Sequence, residues 1–462
     1  MAKQRIPVQA GKDYTIAITG LGHSGEGVGK YEDFTVFVPF ALPGERVRVR
    51  MELVKKTYGK GKLLEILEAS PDRQEPECPY YGRCGGCQMQ HMTYEAELRA
   101  KQAQVEAAVR RIGKSEAAVL PAIGASQPRH YRNKMQLPVG REGNQLVMGC
   151  YAQGSHRIIH TEHCYIQREG NNAIAEACWQ IAMELGAVPY DETTHTGCLR
   201  HIIGRVSAAS GEAMVILVTA EKRLPKQNEW IEAIRRRLPF VVSIAHNYNP
   251  DKTNVIMGRQ TKNIWGKEKI EDTLEEFVFS ISPASFFQIN NDQTVVLYNT
   301  ALEYADLTGT ETVIDAYCGT GTISLFMAKQ AAHVIGIEIV PPAIADAKEN
   351  ARRNTCANTE FIVADAAEKM PELYQAGIRP EVIVFDPIRA GCKPAVLESA
   401  AAMKPQRIVY VSCNPQSMAR DIAYLEPLGY KAVKVQPVDM FPRSSHIECV
   451  CLLVRMNTEL DG

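Results

Sequence analysis

The chain has 462 residues, more than one ordinary core accommodates, so its length predicts two or three domains. With 45% hydrophobic and 23% charged residues it reads as a soluble globular protein, which excludes the disordered and low-complexity classes. Lysine and arginine total 52 against 53 for aspartate and glutamate, so the overall charge selects no partner, and any nucleic-acid surface must be a local patch.

The amino terminus, Met1 to Pro7, lacks the apolar stretch of a secretory leader. No apolar run approaches the ~20 residues that span a bilayer. The expectation is a cytoplasmic protein with no membrane partner. Thirteen cysteines, an odd number in a reducing compartment, argue for ligation, catalysis and packing rather than for disulfides.

Up to residue 68, apolar and polar positions alternate between glycine-rich breaks, as in Tyr14 to Ile18, Thr35 to Val38, Glu45 to Arg50 and Leu63 to Leu67. Short strands at this spacing predict a small β-barrel. Alternation sets Arg46, Arg48 and Arg50 on one strand face, which suits RNA contact and a merely solvated surface equally well. The block resembles a TRAM domain, an RNA-binding module.

Pro71 to Pro79 leads into Cys78-x5-Cys84-x2-Cys87, a tight loop containing Gly82, Gly85 and Gly86. Three thiols this close predict ligation, with Cys150, Cys164, Cys178 or Cys198 as a fourth. The spacing leaves zinc and an iron–sulfur cluster even. Tyr94 to Ile112 predicts a helix stopped by Gly113. From about 125 to 280 the pattern is mixed α and β, and pattern alone assigns it no function. His130 to Lys134 and Ser155 to Arg157 offer basic and aromatic groups for RNA, though such patches are as often ordinary surface.

From Thr312 the pattern becomes regular. Strands predicted at 313–314, 333–339, 361–363, 381–385 and 407–411 alternate with helices at 323–329 and 341–354, so a mostly parallel, doubly wound sheet is expected. Ligands of such sheets sit at the carboxyl ends of the strands. There lie the loop Asp315-Ala-Tyr-Cys-Gly-Thr-Gly321 and Glu338, whose carboxylate suits ribose hydroxyls and repels phosphate. Together they favour an adenosine-containing cofactor over a purely structural turn.

With Phe286-Phe-Gln-Ile-Asn290 just upstream, these residues resemble the S-adenosylmethionine-dependent RNA uracil-5 methyltransferases. The resemblance implies cofactor contacts from Gln288, Tyr317, Glu338 and Asp386. It departs at Asp386-Pro-Ile-Arg389, where the family usually has a second proline in place of Ile388.

Cys413, in Ser412-Cys-Asn-Pro415, leaves a strand on the same side as the cofactor loop. Carbon 5 of uracil is a poor nucleophile until a thiolate adds at carbon 6, and the carbon 5 proton must afterwards leave to a base. Glu448, flanked by Ile447, Cys449 and Val450, is the candidate, against the alternative of an exposed strand-end glutamate. The resemblance assigns Cys413 as nucleophile and Glu448 as base, and it implies a 4Fe–4S cluster on Cys78, Cys84, Cys87 and Cys164. His446 orients a neighbour or is simply structural.

The expected architecture is therefore multidomain. Residues 1–68 form a TRAM barrel, 69–285 an α+β domain with the cluster, and 286–462 a Rossmann-like class I methyltransferase domain. The expected partner is RNA rather than DNA, in a single-stranded or loop region whose uridine can swing out. TRAM plus cluster looks most like the enzymes of 23S ribosomal RNA. A transfer-RNA T-loop enzyme and a catalytically idle assembly factor are the alternatives. A radical enzyme is disfavoured, because the Cys-x3-Cys-x2-Cys run is absent.

Overall fold

The computed structural model describes residues 6–456, so residues 1–5 of the leader reading lie outside the described residues. Five strands close a small barrel in the order β1-β2-β3-β5-β4: β1 (Asp13–Leu21), β2 (Gly27–Tyr31), β3 (Phe34–Val38), β4 (Arg46–Val54) and β5 (Tyr58–Glu68). Alternation decides the inside: Ile16, Ile18, Val36, Val38, Val47 and Val49 fill it. Arg46, Arg48 and Arg50 do share the outer face of β4. Each is paired with a carboxylate on a neighbouring strand, Glu68, Glu65 and Asp13 respectively.

Helix α1 (Tyr94–Arg111) begins where the Thr93 hydroxyl accepts from the Ala96 N–H at 3.3 Å. It leads to the short strand β6 (Ala118–Val119). A seven-stranded sheet follows, in the order β13-β12-β11-β10-β7-β8-β9. It comprises β7 (Lys134–Glu142), β8 (Gln145–Tyr151), β9 (Ile158–His160), β10 (Leu199–Val206), β11 (Ala213–Thr219), β12 (Val241–Tyr248) and β13 (Gln260–Gly266). Helices α2 (Glu169–Glu184) and α3 (Gln227–Arg237) cover one face, with Ile174, Cys178, Ile181, Trp230 and Ile234 buried against it. The hairpin of β14 (Ile270–Leu274) and β15 (Phe277–Ile281) connects to the last unit.

That unit is an eight-stranded sheet in the order β18-β17-β16-β19-β20-β22-β21-β6. Its strands are β16 (Thr312–Asp315), β17 (His333–Glu338), β18 (Thr359–Val363), β19 (Val382–Phe385), β20 (Arg407–Ser412), β21 (Tyr430–Val438) and β22 (Glu448–Arg455). The five from β18 to β20 run parallel, and β22 joins antiparallel to both β20 and β21. Helices α4 (Asn291–Ala305), α5 (Thr322–Ala328), α6 (Pro341–Arg353), α7 (Ala366–Gln375), α8 (Pro394–Met403) and α9 (Pro415–Leu425) cover its two faces. Strands buried on both sides need continuous apolar runs, and Val382 to Phe385 and Ile408 to Val411 supply them.

The sheet also recruits chain from far upstream. Strand β6 pairs with β21, and Val105 and Val109 of α1 join the core that holds Ile314, Phe385 and Tyr410. Among the described residues, no helix is long and apolar enough to cross a membrane.

Candidate active site

Strand β16 ends at buried Asp315, whose carboxyl accepts from the Ser324 hydroxyl at 2.6 Å and is pushed up to about 6 by burial. The chain then turns through Gly319 and Gly321, both at positive φ. At Gly321 a Cβ would meet Ala347 and the Phe361 ring at 3.1 Å, so both φ and space demand glycine. Glu338, at the end of the adjacent β17, accepts from the Val340 N–H at 2.9 Å. Asp386 follows β19, and desolvation, with Asp315 adding, lifts its carboxyl to about 7. Asp315, Tyr317, Glu338 and Asp386 thus gather at the carboxyl ends of three neighbouring parallel strands.

Gln288 approaches from outside the sheet. Its carbonyl accepts from the Asn133 side chain at 2.8 Å, and its side chain reaches the Tyr298 hydroxyl. Tyr298 was not singled out from the sequence. It lies fully buried on α4, 3.2 Å from the Thr322 hydroxyl, within electrostatic reach of Asp386 and Glu448. An apolar helix face gives no signal that one of its aromatics serves a site.

The next strand pair positions the two groups expected to react. In the antiparallel register of β20 and β22, Ser412 pairs with Cys449; Cys413 follows the end of β20, Glu448 begins β22, and the two lie within electrostatic reach of each other. Asn414 caps α9, its side chain accepting from the Gln416 N–H at 3.2 Å, which turns the chain sharply just after Cys413. The thiol is pushed up to about 11 by burial and by Glu448 and Asp386, with Arg389 opposing. Glu448 is 4% exposed, and desolvation together with Asp386 holds its carboxyl well above the usual range. Burial, with Arg389, Lys101 and Arg132 nearby, holds the His446 imidazole below its usual range.

The Ile388 side chain is 78% exposed, while its carbonyl accepts from the Gly391 N–H at 2.8 Å and closes the turn. Other contacts hold the segment: the Asn414 amide donates to Arg389 O at 3.0 Å, and Arg420 donates to Ala390 O at 2.9 Å. Buried Asp421 accepts from the Cys392 N–H at 2.8 Å and from the Tyr410 hydroxyl at 2.6 Å. Cys413, Arg389 and His446 line a cavity of about 190 Å³ that also takes Gln88, Gln104 and His23. A larger open groove, about 730 Å³, lies by Arg407, Lys434 and Arg455 at the other end of the strands and contains none of the expected site residues.

In the cysteine loop, the Gly85 N–H donates to Tyr151 O at 2.9 Å, and a Cβ there would sit 3.0 Å from the backbone of Tyr151 and Gln153. Cys78, Cys84 and Cys164 all lie near enough to Cys87 to raise its thiol, which burial lifts to about 12. Cys84 and Cys150 share a hydrogen bond, whereas Cys178 is packed into the seven-stranded unit's core. Among the described residues, no group of three or more histidine, cysteine or acidic side chains is arranged to hold a single metal ion. In the two basic patches, His130 and His163 both lie against Glu169, and His156 lies against Glu192.

The family model for tRNA (uracil-5-)-methyltransferases matches residues 93–456, and that for the TRAM domain matches residues 7–64. The chain belongs to the uracil-5 methyltransferase family. As a member, it is an S-adenosylmethionine-dependent RNA methyltransferase with an amino-terminal TRAM barrel. An uncharacterized RNA methyltransferase of Halalkalibacterium halodurans is 51% identical over 99% of this chain and 100% of its own. One of Clostridium tetani is 47% identical over 98% of each. The fold of the family is also seen in a tRNA (uracil-54, C5)-methyltransferase of Pyrococcus abyssi, solved with S-adenosyl-L-homocysteine. That structure is 28% identical, with a TM-score of 0.76 over 95% of this chain and 99% of that one.

Proposed function

We propose that the protein methylates carbon 5 of a uridine in RNA through a covalent adduct between Cys413 and carbon 6 of the base. The observation that carries this reading is the closeness of Cys413 to both Glu448 and Asp386, just beyond the Ser412–Cys449 pair and beside the strand ends that hold the glycine loop.

Cys413, as thiolate, adds to carbon 6 and forms a carbon–sulfur bond, and the displaced π electrons pass to carbon 5 and oxygen 4 as an enolate. S-adenosylmethionine supplies an electrophilic methyl group on a sulfonium. Asp386, Glu338, Tyr317 and Gln288 position that donor, and the carboxylate of Asp386 complements its positive charge. Once carbon 5 carries the methyl group, Glu448 takes its remaining proton. The carbon 5–carbon 6 double bond re-forms and the thiolate of Cys413 leaves. A carboxyl whose proton affinity is raised by burial suits that acceptor.

Cys78, Cys84, Cys87 and Cys164 are proposed to hold a 4Fe–4S cluster. Four neighbouring, half-buried thiols suit such a group, and the Gly86 N–H already donates to the Cys84 sulfur at 3.3 Å. Methyl transfer moves no electrons, so its contribution is structural.

The proposed target is a uridine of 23S ribosomal RNA, supported by the pairing of a TRAM barrel with the cysteine loop. The full-length likeness to the Pyrococcus abyssi enzyme favours transfer RNA as the second reading. Purified enzyme is to be incubated with labelled donor and total RNA from a strain lacking it, and the new 5-methyluridine mapped. A product in 23S RNA supports the first reading and one in transfer RNA the second, while no product in either leaves an idle assembly factor.

A further inference from the structure

Five thiols, not four, meet around the cysteine loop. Cys84 and Cys150 share a hydrogen bond, and Cys164 lies within electrostatic reach of both. The backbone holds the pair together. Cys84 forms an antiparallel bridge with Ala152, just past the end of β8, and the Gly85 N–H donates to Tyr151 O at 2.9 Å. Alternation along β8 sets Cys150 on the same side as Ala152, and therefore on the side of Cys84. A Cβ at Gly85 would come within 3.0 Å of Tyr151 O and Gln153 N, so glycine is what lets the loop lie against the strand that carries Cys150.

The two sulfurs differ in access. Cys84 and Cys87 line a cavity of about 120 Å³ between barrel and cysteine loop, and Cys150 does not. A reagent entering there meets Cys84 first, with Cys150 behind it. That is the arrangement of an exposed thiol with a resolving thiol beside it. Cys178, by contrast, is packed into the core of the seven-stranded unit, out of reach of the loop.

We propose that Cys150 is a reserve thiol: it ligates no iron, and when the cluster is lost to oxidation it closes a reversible disulfide with Cys84. This rests on the reading of Cys78, Cys84, Cys87 and Cys164 as the ligands. With iron gone, the Cys84 thiolate attacks a low-molecular-weight disulfide, forming a mixed disulfide and expelling one thiolate. Cys150, as thiolate, then attacks the Cys84 sulfur and expels the second. Two protein thiols are oxidised, the external disulfide is reduced to two thiols, and these take up the two protons. The new bond keeps the loop against β8 in place of the cluster. The reacting segment depends on that loop, because the Gln88 and Met89 N–H groups donate to Arg443 O and the Gln88 side chain accepts from the Ser445 N–H at 3.3 Å.

The test starts from full-length protein purified without oxygen and then exposed to air, a chelator and oxidised glutathione. Iron content is followed, and peptides are mapped by mass spectrometry without reduction. Neighbouring thiols react at the highest effective concentration, so peptides linking Cys84 to Cys150 should outnumber those linking Cys84 to Cys78, Cys87 or Cys164 by roughly tenfold. Dithiothreitol should return both thiols. Cys150→Ser should hold as much iron as wild type before exposure and unfold at the same temperature. After exposure it should retain glutathione on Cys84 and unfold several degrees below the oxidised wild type. The proposal is overturned if Cys84 in wild type pairs mainly with another thiol or keeps its glutathione, or if Cys150→Ser lacks iron from the start, which makes Cys150 a ligand. Wild type that holds no iron at all fails the cluster reading itself, and the linked peptides then decide on their own whether Cys84 and Cys150 pair.

Discussion

Lys101 and Asp439 meet across 338 residues of chain, Nζ to Oδ1 at 2.6 Å, with both side chains fully buried. The same ammonium group donates to Glu97 at 2.7 Å and to Phe441 O at 3.2 Å. Glu97 in turn accepts from the Arg443 N–H at 2.7 Å, and the Gln88 N–H and Met89 N–H both donate to Arg443 O. The segment leading to His446 and Glu448 is thus pinned from α1 on one side and from the cysteine loop on the other.

Removing the shared cation leaves two buried carboxylates, Glu97 held by Arg443 alone and Asp439 by the Tyr94 hydroxyl. Lys101→Met is expected to destabilise the protein by about 3–5 kcal/mol. The check is a shift of the thermal unfolding midpoint, together with a loss of methyl transfer as the Asp439–Glu448 segment loosens.

Cys413→Ala is expected to lower methyl transfer by about 10⁴-fold or more. Glu448→Gln should fail later, after the carbon–sulfur bond has formed. A protein–RNA adduct that survives denaturing gel electrophoresis should accumulate in Glu448→Gln and be absent in Cys413→Ala. No adduct in Glu448→Gln would count against its role as the terminal base.

The thiol of Cys413 sits near 11 because burial and two carboxyls oppose its ionisation. Its thiolate fraction therefore grows with pH throughout the neutral range, and kcat/KM is expected to climb between about pH 6.5 and 8.5. Glu448→Gln deletes one opposing charge, so the Cys413 peptide should be alkylated by iodoacetamide at lower pH than in wild type. Peptide mass spectrometry after timed labelling distinguishes it from the other twelve thiols.

Asp386 favours its protonated form in the folded chain, about 7 against an ordinary 3.8, so its ionisation costs stability as pH rises through that interval. Asp386→Asn should raise the unfolding midpoint by several degrees at pH 8 and change little at pH 4. Donor binding by calorimetry should weaken in the same variant, because the charge that burdens the free fold is the one proposed to meet the sulfonium.

Iron content tests the thiol cluster. Protein purified without oxygen should lose its iron in Cys87→Ser and in Cys164→Ser and keep it in Cys178→Ser. Loss in Cys150→Ser with retention in Cys164→Ser would move the fourth ligand to Cys150, which already shares a hydrogen bond with Cys84.

Local pattern was enough to find what local chemistry dictates. The glycine loop after β16, the helix from Tyr94 and the strand leading into Cys413 are written in glycine placement, capping and apolar runs, and the barrel is written in alternation. What could not be read was pairing at long range. Nothing near Arg46, Arg48 and Arg50 announces that Glu68, Glu65 and Asp13 neutralise them from adjacent strands. Phe37 and Tyr58 look like two more apolar residues until the register puts them side by side on the outside. Lys101 reads as a solvated helix residue, because its partner Asp439 belongs to the far end of the chain. Ile388 stands where the family usually has a proline. The loop is instead tied down by Asn414, Arg420 and Asp421, so a second proline has little left to do.

The sheet that bears Cys413 is completed by β6 and backed by α1, both made long before the strands they join. During synthesis on the ribosome, Val105, Val109 and the charged Glu97–Lys101 pair must wait, exposed, until the last sixty or so residues emerge. A fragment begun at residue 286 would carry Cys413 and Glu448 yet present a bare apolar flank, and would be expected to aggregate rather than to work as a minimal enzyme.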